Sequence, residues 1–548
     1  MIAGGESLTV EFKSDRARVS DRALVEAVAC LANAKGGHLL IGVEDDCTVT
    51  GAQPRHSPAT DPVRMQALIA NMTLPPLPAV VELCAIDGRD VIVITVEAST
   101  TPISTSSGTY TRRALQTDGR PQCVPYPFHE MLARRVAVGE ADYAALEIPG
   151  ATIDDLDPGE LERFRTLVRR SGGDRGLAEL ADEDLVRALG VATVGHTVAE
   201  PLAGALLLFG RPDPLRRFIP THASAFQVLR GTSIETNAEI VGGLLRCAEE
   251  LHTAITAHNA EEEIDAGLLR IAVPLVPPEA IREVVANALV HRDYTRLGPV
   301  QVQLTDDALT VTNPGGFPEG VTLATFLRES RPRSPLLAAA FSRAGLVDRT
   351  GRGINRMYES TLRIGRRAPD YTRSSDVAVV ASFALGRADT VLARFVLQRE
   401  AETSRPIRLA DLQVLHRLRN GGGLSVAEAA ALLQEAESVT RTTMARMVTE
   451  GLVEERGTGR GRRYHLSAAV FRALDARAAY VRIRRFDPIQ QEQMVLSFVR
   501  AHGRIRRSEA ADLCALSSEQ ASRLLRQMAG RGLLRMVGSR RGAAYTLP

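Results

Sequence analysis

The sequence predicts a multidomain α+β protein: an α/β unit, a mostly helical middle, a second α/β unit and a repeated tail. Three observations predict it. The chain has 548 residues, 45% of them hydrophobic, which is too long for one core and too apolar for disorder. Its hydrophobic periodicity switches between helix-like and strand-like over 1–130 and again over 271–395, while 150–270 reads as mostly helical. The tail repeats itself at an offset of 81 residues.

Within 1–130 a helix is expected over 21–34, a strand over 38–43, and a strand pair over 79–83 and 91–97. Asp155-Leu-Asp-Pro-Gly opens the helical middle region. In the second unit a helix over 281–290 follows Pro277-Pro278. A strand over 300–304 alternates with period two, and 309–311 continues it after the Asp306-Asp307 turn. In the tail, Gly451-Leu-Val precedes Tyr464 by 13 residues, and Gly532-Leu-Leu precedes Tyr545 by the same distance. Upstream of each glycine lie two helical patterns, with capping boxes at Ser425/Glu428 and Ser517/Gln520. Two helices, a recognition helix and a β-wing make the winged-helix plan, expected over 405–470 and again over 488–548.

Of 67 basic residues only Lys13 and Lys35 are lysines. Where Arg has taken every other cationic position, a retained Lys suggests a site needing the smaller, more flexible head. Neither lysine follows a G-x-x-x-x-G run, so a Walker A motif and any P-loop ATPase are excluded. Trp is absent and aromatics are 4%, which argues against aromatic platforms for single strands. The six cysteines are scattered, with no C-x-x-C pair, an argument against zinc or a disulfide framework and for a reducing cytoplasm. No signal-peptide core or membrane-length apolar run is present.

The net charge of +2 hides an asymmetry: 405–548 carries 25 Arg against 13 acidic residues, whereas the other 404 residues carry 42 basic against 52 acidic. A basic tail on an acidic body points to duplex DNA as partner. The first recognition helix, over 438–450, offers Thr440, Arg441, Thr442, Thr443 and Arg446, and its wing offers Arg460, Arg462 and Arg463. The second, over 517–527, offers Arg523 and Arg526, with Arg540 and Arg541 on its wing.

In the second α/β unit Glu283, Asn287 and His291 share a helix face opposite the apolar stripe of Ile281, Val284, Val285 and Ala288. Asn313-Pro-Gly315-Gly316 and Gly351-Arg-Gly353 follow. Together these stretches resemble the divergent GHKL nucleotide fold, a Bergerat-type α/β sandwich, of bacterial transcriptional regulators sometimes labelled RecG-like helicases. The resemblance implies ATP or ADP with Mg²⁺: Asn287 would hold the metal, Glu283 orient water, and Gly315, Gly316, Gly351 and Gly353 admit the phosphates. One departure is that Asn313 stands nearest the place where working members carry the adenine-reading Asp.

At the N-terminus Glu6-x₄-Glu11-Phe-Lys13 and Asn33-Ala-Lys35-Gly-Gly, running on to Glu44-Asp45-Asp46, resemble the Schlafen/AlbA-type domain at the front of the same regulators. In the RNA-cutting Schlafen relatives such carboxylates bind a divalent metal. The resemblance carries that role to Glu6, Glu11 and Asp45, with Glu44 the alternative to Asp45, Mn²⁺ or Mg²⁺ as the ion, and Lys13 on a phosphate. The blander reading pairs Glu11 with Lys13 structurally. The expected function is a cytoplasmic, dimeric DNA-binding transcriptional regulator with a nucleotide-sensing domain; the alternative is a metal-dependent Schlafen-like nuclease in phage defence.

Overall fold

The computed structural model describes residues 1–116, 119–193, 200–266, 269–347, 351–419, 421–457, 461–474, 488–514, 516, 518–538 and 544–548. Its first unit is a four-stranded sheet in the order Val10–Lys13, Gly37–Ile41, Arg89–Val96, Val80–Ile86, with the first pair parallel and the rest antiparallel. The helix Asp21–Ala32, capped by the Ser20 hydroxyl accepting from Ala23 N–H at 3.2 Å, buries Leu24, Val28 and Leu31 against Leu39, Ile41, Ile92 and Ile94 of the sheet. Pairing Val10–Lys13 alongside His38–Ile41 sets Glu11 and Lys13 on one side of the strand, two residues apart. A hairpin of Thr111–Leu115 and Pro121–Pro125 lies over the helix.

One expectation fails here. Cys30 and Cys123 are disulfide-bonded across 93 residues, fastening the helix Asp21–Ala32 to that hairpin; Cys47, Cys84, Cys247 and Cys514 are free. Cysteine spacing reports only neighbours along the chain, whereas bonding is decided by Cα atoms that the fold brings to 5.9 Å.

The expected helical middle gives way at Ser224. The strands Ser224–Arg230 and Ser233–Ile240 join a five-stranded sheet in the order Ser233–Ile240, Ser224–Arg230, Val300–Leu304, Ala308–Pro314, Ala378–Ala384. Ser224–Arg230 runs parallel to Val300–Leu304 and all other pairs are antiparallel. Hence 150–270 and 271–395 do not separate: one hydrophobic core runs from Ala144 to Phe383, with Phe226 and Val228 beside Val300 and Val302. Burial alternates along Ser224–Arg230, with Ser224, Phe226 and Val228 inward, while Ala225 and Leu229 on the other face blur the period-two signal in the sequence. The helices Leu244–Ala257, Pro278–Val290 and Gly353–Arg363 contribute Leu251, Val285 and Met357 to the same core.

The tail repeat is present in three dimensions. The first copy has helices Leu409–Arg419, Val426–Leu433 and Glu437–Thr449, then the hairpin Val453–Arg456 with Arg463–Leu466. The second has helices Pro488–His502, Arg507–Cys514 and Ser518–Gly530, then Arg535–Val537 paired with Ala544–Thr546. Gly451 and Gly532 take matching left-handed conformations, φ 71° and 74°, between third helix and hairpin. The first capping box forms: Ser425 Oγ accepts from Glu428 N–H at 3.2 Å, and Glu428 accepts from Ser425 N–H at 2.8 Å. The second box begins at Ser517, outside the described residues.

Candidate functional site

The helix Pro278–Val290 begins at a proline, where no N–H is needed, and seats Ile281, Val284, Val285 and Leu289 in the core. Its other face turns Glu283, Asn287 and His291 toward a cavity of about 810 Å³. Asn287 Nδ2 donates to Glu283 Oε1 at 2.9 Å, so the one-turn spacing read from the sequence is a real contact. Asn313, Gly316, Gly351 and Gly353 also line the cavity, as expected. Gly315 does not: it packs behind the wall, where a β-carbon would meet Asp293 Cβ at 2.6 Å. At Gly353 a β-carbon would lie 1.7 Å from Glu283 Oε1, so glycine is what leaves room for the carboxylate.

Sequence reasoning missed most of the remaining wall. Tyr371, Phe317 and Phe326 form an aromatic group, with Phe326 and Tyr371 centroids 5.0 Å apart. The roof is a segment around residues 318–332 with no helical or strand period, whose Phe326 and Leu327 are buried. Burial raises the Tyr371 hydroxyl pKa well above its ordinary value. Burial, with the Arg333 charge added, pushes His291 down to about 4, so the imidazole is neutral at pH 7. Asn313 Oδ1 is buried and has no hydrogen-bond partner among the described residues. A cavity of nucleotide size, an unmet acceptor in its wall and a glycine held open beside a carboxylate fit a polar ligand with an N–H donor.

The N-terminal carboxylates do not form the expected cluster. Glu11 is buried and paired with Lys13 Nζ at 2.6 Å and with the Arg113 guanidinium. Arg113, itself buried, also donates to the carbonyls of Ser7 at 2.9 Å and Val10 at 3.1 Å. Glu6 accepts from Phe12 N–H at 2.8 Å and stands 3.9 Å from Arg113. Asp45 is exposed on the following turn. Glu44 is held by Thr50 at 2.7 Å and Ser14 at 2.8 Å, bonds that lower its pKa. Among the described residues no three His, Cys, Asp or Glu side chains gather closely enough to hold a metal. The donor set does not fit Mn²⁺ or Mg²⁺, because a guanidinium from the Thr111–Leu115 strand stands where the cation would be needed.

The tail arginines divide. Arg446 is not free: Asp411, nearly fully buried, accepts from it at 2.5 and 3.0 Å, and Glu450 accepts at 2.9 Å. Arg463 pairs with Glu428 at 2.7 Å and donates to the Gly423 carbonyl at 2.6 Å. Arg441 pairs with Glu437 at 2.7 Å, and Arg462 with Glu455 at 3.3 Å. Thr440 is fully buried and bonds the Ala436 carbonyl, so it reads nothing. Arg523 and Arg526 are exposed. Arg460, Arg540 and Arg541 lie outside the described residues.

Residues 6–120 match the family described as "Schlafen, AlbA_2", and residues 298–381 match "Putative ATP-dependent DNA helicase recG C-terminal". Residues 130–224 match "Domain of unknown function (DUF8451)". No curated protein matches the chain. The crystal structure of the DIP2311 protein from Corynebacterium diphtheriae is similar over 99% of this chain and 95% of that one, at 22% identity and a TM-score of 0.50, a likeness of fold. No helix is long and apolar enough to cross a membrane among the described residues. The chain is thus a multidomain mixed α/β protein with a Schlafen/AlbA_2 domain at its front and an ATPase-like domain at its centre.

Proposed function

We propose that this chain is a DNA-binding transcriptional regulator: the ATPase-like domain senses a nucleotide, and the tail, built from two winged-helix modules, carries the protein to duplex DNA. One observation carries the reading. The cavity roof is hydrogen-bonded to the first tail module, with Leu327 N–H donating to Gln434 Oε1 at 3.0 Å and Gln434 Nε2 donating to the Leu323 carbonyl at 2.9 Å. Arg328, which lines the cavity, pairs with Glu435 next door. Gln434 and Glu435 form the turn between the helices Val426–Leu433 and Glu437–Thr449. A ligand that shifts the roof therefore shifts the tail fastened to it, which is what sensing requires.

A bound ATP or ADP with Mg²⁺ would bring a purine edge and a cation-bridged polyanion. Asn313 would accept from the base. Asn287 would hold the cation side, positioned by its bond to Glu283. The roof residues around Phe326 would exclude water. The paired state of Glu11 weighs against the nuclease alternative, since a carboxylate neutralised by Lys13 and Arg113 has little charge left for a metal.

The test is ligand-induced stabilisation. ATP or ADP with Mg²⁺ at 100-fold excess over Kd should stabilise the native state by about 2.7 kcal/mol. Asn287→Ala should remove the accompanying rise in Tm. No rise with any purine nucleotide at millimolar concentration would sink the sensing role.

A further inference from the structure

We infer that the duplex-contacting surface lies on the second tail module alone, while the first module docks the tail onto the body. The inference rests on the reading of the tail as duplex-binding and assigns that contact to one of two look-alike modules.

Charge separates the copies. Residues 405–474 hold 11 Arg against seven acidic residues, and residues 488–548 hold 10 against four. In the first module carboxylates sit on the described arginines of the third helix and the hairpin: Glu437 on Arg441, Asp411 on Arg446, Glu454 on Arg456, Glu455 on Arg462, Glu428 on Arg463. Arg405, Arg408, Arg417 and Arg472 are exposed but lie outside those two elements. A phosphate approaching any of the paired arginines must displace a carboxylate, and at Arg446 that carboxylate is buried. In the second module Arg531 pairs with Glu492, but Arg504, Arg507, Arg523, Arg526 and Arg535 are exposed and meet no carboxylate among the described residues. The third helix explains the display: Ala521, Leu524, Leu525 and Met528 are buried, which turns Arg523, Arg526 and Gln527 to solvent. Among the described residues Arg526 hydrogen-bonds only within its own helix, donating to the Ser522 carbonyl at 3.2 Å and to Ser522 Oγ at 3.4 Å.

Access separates them too. A helix-turn-helix enters the groove with the N-terminal end of its third helix. In the first module the turn leading into that end, Gln434 and Glu435, is bonded to Leu323, Leu327 and Arg328 of the cavity roof. A duplex approaching from that side meets the body first. The exposed face beyond the turn, with Ser438, Val439, Thr442 and Ala445, carries no unpaired cation. The second module packs its own separate core around Val495, Leu525 and Tyr545.

The full-length chain and a fluorescent mixed-sequence duplex test this by anisotropy across a salt series. Arg523→Ala/Arg526→Ala should weaken binding by roughly tenfold or more and flatten the log–log salt slope by about two contacts' worth, at about 0.9 each. Arg441→Ala/Arg462→Ala should change affinity by less than about twofold. Both pairs are exposed, and an unchanged Tm checks that each variant is folded. If the first-module pair causes the larger loss, or the two losses are equal, the assignment is overturned while the tail reading stands. If the full-length chain binds no duplex, the tail reading itself falls and takes the assignment with it.

Discussion

The Glu283 carboxylate fills the space that any side chain at Gly353 would need, with Oε1 1.7 Å from the position of a β-carbon there. Glu283 ends in a flexible carboxylate, so Gly353→Ala can be accommodated if the group swings away and gives up its bond to Asn287. Stability should then fall by only about 1 kcal/mol, the net worth of one hydrogen bond. The rise in Tm on adding nucleotide should vanish. An intact ligand response in Gly353→Ala, measured by differential scanning, would show that the Glu283 carboxylate is not part of the site.

Gln434 joins the cavity roof to the tail through two hydrogen bonds. Gln434→Ala should cost about 1–2 kcal/mol in denaturant unfolding. Its diagnostic effect is on coupling: duplex affinity measured with and without nucleotide should differ in the native chain and agree in the variant. Persistence of the difference would place the coupling elsewhere.

Arg113 and Lys13 both pair with Glu11 but differ in burial, with side chains 1% and 36% exposed. Arg113→Ala leaves Glu11 buried with half its compensation and removes two bonds to backbone carbonyls, so a loss of about 3 kcal/mol is expected. Lys13→Arg should stay within about 0.5 kcal/mol, because the cationic end of the pair is solvent-accessible and has room for the wider head. Equilibrium unfolding measures both. A large Lys13→Arg effect on nucleic-acid binding without one on stability would restore a phosphate role for the lysine.

Asp411 is 2% exposed and held by Arg446. Arg446→Ala should destabilise the chain by about 3 kcal/mol, and Arg446→Met with Asp411→Leu should recover most of it, since the pair is then replaced by packing. Duplex affinity of the folded double variant should match the native chain.

Acid should weaken the central domain before its carboxylates titrate. Burial pushes His222 and His291 down from 6.5 to about 4, and His222 donates through Nε2 to the Gly242 carbonyl at 2.8 Å. Between these values the unfolded chain binds protons that the folded chain refuses. The stability is fully present above pH 6.5, falls as the pH drops toward 4, and levels off below. Urea midpoints across this range check it. His222→Gln should make the fall shallower; an unchanged profile would mean that other groups set it.

Much of the fold was legible in the sequence because it is decided within a few residues. Period-two alternation placed a strand over 300–304, where Val300–Leu304 lies, and Ser425 with Glu428 closed as a capping box. The repeated glycines at 451 and 532 marked equivalent left-handed turns. Helical phase put Glu283, Asn287 and His291 on one face, and the cavity lies against that face.

What the sequence could not decide was which charge meets which, because that depends on chain crossings. Helical phase alone made Arg446 a candidate DNA contact; Asp411, 35 residues earlier, claims it only once two helices pack. The spacing of Glu6 and Glu11 suggested a metal site, yet Arg113 reaches Glu11 from a strand about a hundred residues away and neutralises it. Ser224–Arg230 became part of the central sheet by pairing with Val300–Leu304, bringing Ser233–Ile240 with it, and Tyr371 became a cavity wall by packing against Phe326. Local sequence sets the phase of a helix or strand. Only the packed chain sets the distance between groups far apart in it, and electrostatic and hydrogen-bonding partners are chosen by distance.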